Sequence, residues 1–133
     1  MFETRVLPAE PTAIAPDGSA VRVLVGLDTG GMAHFELGPG QVVVAVRHRT
    51  VGELWYFVQG LGQMWRRLGD HEEIVEVGPG VTISLPVGTE FQFRSTGPEA
   101  LAAVGVTMPP WPGDGEAVLV DGPWTPTVAP GPH

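Results

Sequence analysis

Two residues carry the polar chemistry of this chain: His48 and Glu53, inside the stretch Val46-Arg-His-Arg-Thr-Val-Gly-Glu-Leu-Trp-Tyr-Phe-Val58. Glu53 leads directly into an apolar run, and a carboxylate there is costly unless it is paired or bound to something. A histidine beside a carboxylate has its charged form favoured, which suits proton transfer near neutral pH. The pair therefore reads as a general acid–base pair, as two ligands of a metal, or as a plain hydrogen-bonded pair with His48 tied to a loop carbonyl. Strand alternation places Trp55, Phe57 and Gln59 on the Glu53 face, and Phe91, Phe93 and Ser95 together on one face of a later segment. These aromatic residues are either core or the apolar walls of a small-molecule pocket. Arg47 and Arg49 point away from His48 by the same parity and read as surface or interface residues. His71 falls in the solvated tip Asp70-His-Glu-Glu73, and His133 is terminal.

Composition removes whole classes of activity. The formal net charge is −8, and all seven basic residues are arginine, spread along the chain. That leaves no basic stripe for phosphate backbones or an anionic membrane surface, so neither nucleic acid nor membrane is an expected partner. The absence of lysine removes Schiff-base mechanisms and the P-loop lysine. The absence of cysteine removes thiolate metal sites, a cysteine nucleophile and a disulfide scaffold. No apolar stretch approaches a membrane span, and no basic segment followed by an apolar run opens the chain. A cytoplasmic location is the expectation.

The elements that must position these residues are short. The chain has 133 residues, with 19 glycines and 14 prolines. Strands are predicted at 21–27, 32–37, 41–46, 53–58, 63–67, 72–77, 81–85, 90–94 and 101–106, separated by Gly- and Pro-containing turns. The β-branched run 41–46 reads as a strand buried on both sides. No window between the breakers holds a helical period. Strands at this spacing point to an all-β sandwich or barrel of roughly eight to ten strands. Residues 1–20 are predicted to form an extended arm, 21–108 the barrel, and 109–133 a Pro-rich tail. That tail carries Trp111 and Trp124, which are expected to pack on the barrel or on a partner, leaving the last few residues disordered.

Two stretches share a frame. The first runs from Gly40 through Val46, His48 and Glu53 to Gly60; the second runs from Gly80 through Pro86, Gly88 and Phe91 to Ser95. Both resemble the signature motifs of the cupin family, G-x5-H-x-H-x3-4-E-x6-G and G-x5-P-x-G-x2-H-x3-N. Every glycine, the proline, one histidine and the glutamate fall at the family spacing. The resemblance covers about residues 21–108 and implies a double-stranded β-helix, the jelly-roll barrel, with Glu53 and Phe91 pointing inward. It places His48 and Glu53 at the barrel mouth, with Trp55, Phe57, Phe91 and Phe93 as its walls.

The departures from that pattern shape the functional expectation. Metal-binding cupins usually hold their ion with three histidines and one glutamate, and here Val46 and Phe91 stand at two of those histidine positions. Ser95 stands where the family has asparagine. His48 and Glu53 would hold a divalent transition metal only weakly, unless His34 projects inward to join them or Glu90 is shifted inward by a bulge. Three classes follow: an isomerase, cyclase or lyase using His48 and Glu53 for proton transfer; a non-catalytic binding or sensing module; and a metal-dependent, dioxygenase-like cupin. The expected ligand is a small, partly apolar molecule. A symmetric homodimer is expected as well, because the tail tryptophans need cover.

Overall fold

A computed structural model describes residues 2–133. Eleven strands run in chain order: β1 (Ala13–Ile14), β2 (Ala20–Leu27), β3 (Gly30–Leu37), β4 (Val46–His48), β5 (Gly52–Gln59), β6 (Gly62–Leu68), β7 (His71–Val77), β8 (Thr82–Leu85), β9 (Glu90–Ser95), β10 (Leu101–Met108) and β11 (Ala117–Leu119). None of the described residues is helical, and no helix is present that is long and apolar enough to cross a membrane. The strands form two antiparallel sheets, ordered β1-β2-β3-β10-β5-β8 and β11-β4-β9-β6-β7. Their inner faces enclose a core that includes Val43, Val46, Trp55, Phe57, Met64, Phe91, Phe93 and Leu101. Alternation is clearest on β5, where Glu53, Trp55 and Phe57 are buried while Leu54, Tyr56 and Val58 are exposed.

The two sequence frames mark real corners. Gly40, Gly60, Gly80 and Gly88 all have positive φ. Gly60 is the most constrained, because a Cβ there would lie 2.4 Å from the Ala100 carbonyl oxygen. Only glycine meets both demands.

The run 41–46 departs from expectation. It is not a continuous strand: Val42 makes an isolated bridge to Arg94, and β4 begins only at Val46. Its backbone groups bond partly to β9, where Val43 N–H donates to Phe93 and Ser95 N–H donates to Gln41, and partly to both ends of the chain. Val44 N–H donates to the Asp17 carbonyl (2.8 Å), Thr127 N–H donates to Val42 (3.0 Å), and Val120 N–H donates to Ala45 (3.0 Å). The side chains of Val43 and Val46 belong to the core between the two sheets, while Val42 and Val44 are partly buried.

The tail likewise folds onto its own chain. Strand β11 pairs with β4, matching Ala117 with His48 and Leu119 with Val46. Gln92, on the outer face of β9 and fully buried, donates to the Val43 and Trp124 carbonyls and accepts from Trp124 N–H. The Arg94 guanidinium lies 4.3 Å from the centre of the Trp124 ring. The final residues are ordered, contrary to expectation: Gly131 N–H donates to Ala15, and Gly115 N–H donates to His133. Proline-restricted φ angles lower the entropic cost of this docking.

Removing residues 109–133 therefore strips β11, leaves Gln92 uncovered and removes the tail's hydrogen bonds to Val42 and Ala45. A chain ending at Met108 is expected to lose on the order of 5 kcal/mol, comparable to the whole stability of an ordinary domain. Thermal unfolding followed by circular dichroism checks this. A truncated chain melting within a few degrees of the full one would contradict it.

Candidate functional site

Glu53 is 4% exposed, and both of its carboxylate oxygens are engaged. The indole Nε1–H of Trp55 donates to Oε1 at 3.0 Å. His48 Nδ1 lies 3.0 Å from Oε2. The first contact is local, since residues two apart on a strand share a face. The second joins β4 to β5 across a three-residue connection. A proton on His48 Nδ1 satisfies Glu53 and leaves Nε2 as the uncommitted ring nitrogen. The imidazole is fixed laterally by edge contacts with Phe91 (centroids 5.3 Å apart) and Trp111 (4.9 Å).

Two residues that sequence reasoning missed hold this arrangement. Gly105 on β10 sits beside Trp55, and a Cβ there would lie 2.8 Å from both Trp55 Cδ1 and Phe35 Cε2. Its bareness lets Phe35 and Trp55 stack at 4.8 Å between centroids. The other is Glu116, from the tail. Its carboxylate accepts hydrogen bonds from Thr50 N–H (2.8 Å), Val51 N–H (3.2 Å) and the Thr50 hydroxyl. Burial opposes ionisation of Glu116, but these hydrogen bonds outweigh it and hold its carboxyl below the usual range. Glu116 thereby pins the connection between His48 and Glu53. A contact 66 residues away in sequence has no local signal.

The dyad opens onto a cavity of about 600 Å³ lined mainly by apolar groups, including Val21, Ala33, Phe35, Val46, Trp55 and Phe91. Trp111 and Pro110 of the tail line it as well. Of the aromatic residues singled out from sequence, Trp55 and Phe91 reach the cavity. Phe57 and Phe93 do not; they pack beneath, against Trp55, at 0% and 2% exposure.

Asp17 is a second buried acidic group at the cavity, in the segment read as an arm. It is 5% exposed, and its Oδ1 accepts from Ser19 N–H (2.9 Å) and the Ser19 hydroxyl (2.7 Å). Asp-Gly-Ser is a turn signal, which was the only trace of it in the sequence. Burial raises its pKa to about 6, with the Ser19 hydrogen bonds opposing, and the charge of Glu53 adds to the rise while His48 lowers it.

His34 does not complete a ligand set. Alternation on β3 sends Ala33 and Phe35 to the cavity, so His34 lies on the other face, paired in register with Arg22 and Val104. Burial lowers its pKa, as does the positive charge of Arg22, against the pull of Glu36. Glu90 also faces outward, where it accepts from Arg67 Nε at 2.9 Å. Val46 and Phe91 are cross-strand partners and fill the remaining two positions with hydrocarbon. No group of three or more His, Asp or Glu gathers in metal-binding geometry among the described residues. His48 and Glu53 come together as expected, but neither His34 nor Glu90 joins them, so two side chains stand where a firmly held divalent transition metal uses three or more.

No protein-family model matches the chain, and no curated protein does. Solved structures do match, at low identity. BH2720 from Bacillus halodurans aligns with a TM-score of 0.63 and 22% identity, over 68% of this chain and 70% of that one. Oxalate decarboxylase from Bacillus subtilis aligns at 0.66 and 18%, over 81% of this chain but 29% of its own. Vicilin from hazelnut (Corylus avellana) aligns at 0.64 and 18%, over 75% and 31%. The chain thus spans about a third of the two larger proteins. It has the cupin fold, an all-β jelly roll, as the two sequence frames implied.

The raised pKa of Asp17 sets a pH dependence. The folded form holds this proton more tightly than the unfolded form, so the associated stability is complete below about pH 4. It is lost as pH rises through about 6. A shift of this size corresponds to roughly 3 kcal/mol. Asp17→Asn keeps an acceptor for Ser19 but removes the titration, so its stability relative to the native protein should improve by about that amount between pH 4 and pH 7.5. Glu116 works in the opposite sense at lower pH and cancels in the comparison. Urea melts of both proteins at the two pH values check this, and parallel pH profiles would contradict it.

Proposed function

We propose that the barrel mouth binds a small, predominantly apolar molecule and that His48 is the group that handles its proton. The cavity carries this reading: its size suits a small ligand, and its wall is hydrocarbon and aromatic apart from a few polar groups. Glu53 fixes the ring through Nδ1, as an orienting carboxylate does for a catalytic base. Nε2 then takes a proton from one atom of the substrate and returns it to another, an isomerase-type step that balances without an oxidant. The test uses 2-phenylethanol as a neutral probe and Ala33→Phe to fill the cavity. The native protein is expected to gain several degrees of thermal stability at saturating probe, and the filled variant to gain none. Equal stabilisation of both would place binding elsewhere.

We also propose that two copies pair through the outer face of the larger sheet. The tail folds onto its own chain but leaves Trp111 37% exposed, and a second apolar surface lies on the sheet. Leu54, Tyr56 and Val58 on β5 are 42–54% exposed, and Leu54 and Tyr56 lie beside Val106 and Val104 on β10. This uncharged patch, on a chain of net charge −8, meets its own copy without repulsion. Sedimentation equilibrium should show a dimer at tens of micromolar that Tyr56→Glu dissociates. A native monomer under those conditions refutes the pairing.

A further inference from the structure

The charged groups at the cavity are all of one sign. Asp17 and Glu53 line it, with Asp114 at the exposed rim. No arginine does, and the chain has no lysine. Six of the seven arginines have other partners: Arg5 binds Glu3, Arg22 binds Glu36 and the Pro8 and Ala9 carbonyls, Arg49 binds Gly115, Arg66 binds Glu73, Arg67 binds Glu90, and Arg94 binds Gln63. Arg47 does not line the cavity. Only His48 offers a positive counterpart, and Glu53 already occupies it.

The two buried carboxylates differ in what they have left to accept. Both oxygens of Glu53 have donors within the protein. At Asp17 both Ser19 donors converge on Oδ1, and Oδ2 has no hydrogen-bond donor. Asp17 is 5% exposed and lines the cavity, so Oδ2 can accept from water or from a ligand held there. Phe35, Trp55, Phe91 and Trp111 also line the cavity, and an aromatic ring attracts a cation set over its face.

We propose that the cavity selects small apolar molecules bearing a protonated amine, with Asp17 as the anchor for the ammonium group, and rejects carboxylates. This inference rests on the binding reading above and names its ligand class. A carboxylate entering the cavity meets two acidic side chains without a free cation to offset them, whereas an ammonium supplies the donor that Oδ2 lacks.

Isothermal titration at pH 7.5 with three matched probes tests it: 2-phenylethylamine, 2-phenylethanol and 3-phenylpropionate. The amine is expected to bind about tenfold tighter than the alcohol, and the carboxylate about tenfold weaker than the alcohol. Asp17→Asn should bring the amine within about threefold of the alcohol. The three-probe order in the native protein stands whether or not the variant folds. If the alcohol binds but the amine is no tighter, or the carboxylate binds as well as the alcohol, this inference fails and the binding reading survives. An amine preference retained in Asp17→Asn overturns Asp17 as the anchor. If no probe binds at about 10 mM, both readings fail.

Discussion

The structure is organised around one expensive object, the carboxylate of Glu53 in the apolar interior of the barrel. A buried charge without partners costs several kcal/mol, so the surrounding chain is arranged to supply them. Trp55 turns its indole N–H toward one oxygen, and His48 turns Nδ1 toward the other. Each partner then imposes a further requirement. The indole needs room, which the missing Cβ of Gly105 provides, and its ring is braced by Phe35. The imidazole must sit at a fixed distance across the connection 49–51, which Glu116 clamps from the tail. The position of the C-terminal segment is therefore part of the site rather than an accessory to it.

Asp17 and Glu116 show how environment separates two buried carboxyls on the same scaffold. Glu116 receives two backbone N–H groups and a hydroxyl, and these compensate its burial. Asp17 receives both Ser19 groups on one oxygen, and burial prevails. One is consequently a structural clamp that favours its charged form. The other holds spare accepting capacity at the edge of an apolar space, which is what a ligand-recognition group requires.

The legible parts of this protein are those written locally. Gly60, Gly80 and Gly88 announce corners because their backbone conformations demand glycine, and Glu53, Trp55 and Phe57 share a face because a strand alternates. Parity also decides His34, since Ala33 and Phe35 on either side are the inward residues. The run 41–46 misleads because its β-branched side chains enter the core as a strand's would, while its backbone divides its hydrogen bonds between β9 and irregular terminal segments. Asp17, Gly105 and Glu116 are not legible, because their places in the site arise from the packing of distant parts of the chain, whereas the packing of Trp111 on the barrel is expected from its apolar ring. Phe57 and Phe93 were correctly placed on inward faces, yet depth along the barrel, which assigns them to core rather than cavity, is not encoded in alternation.

The central claim is that Glu53 is satisfied by His48 and Trp55, so that the mouth is free for an organic ligand instead of a metal. Long-range 1H–15N correlation spectra of the histidine rings address it directly, recorded before and after one equivalent of Mn2+. The account predicts a proton on Nδ1 of His48, slow to exchange through its bond to Glu53, and no selective broadening of that ring by the ion. A proton residing on Nε2 with Nδ1 bare, or selective loss of the His48 signals at one equivalent of Mn2+, would contradict it.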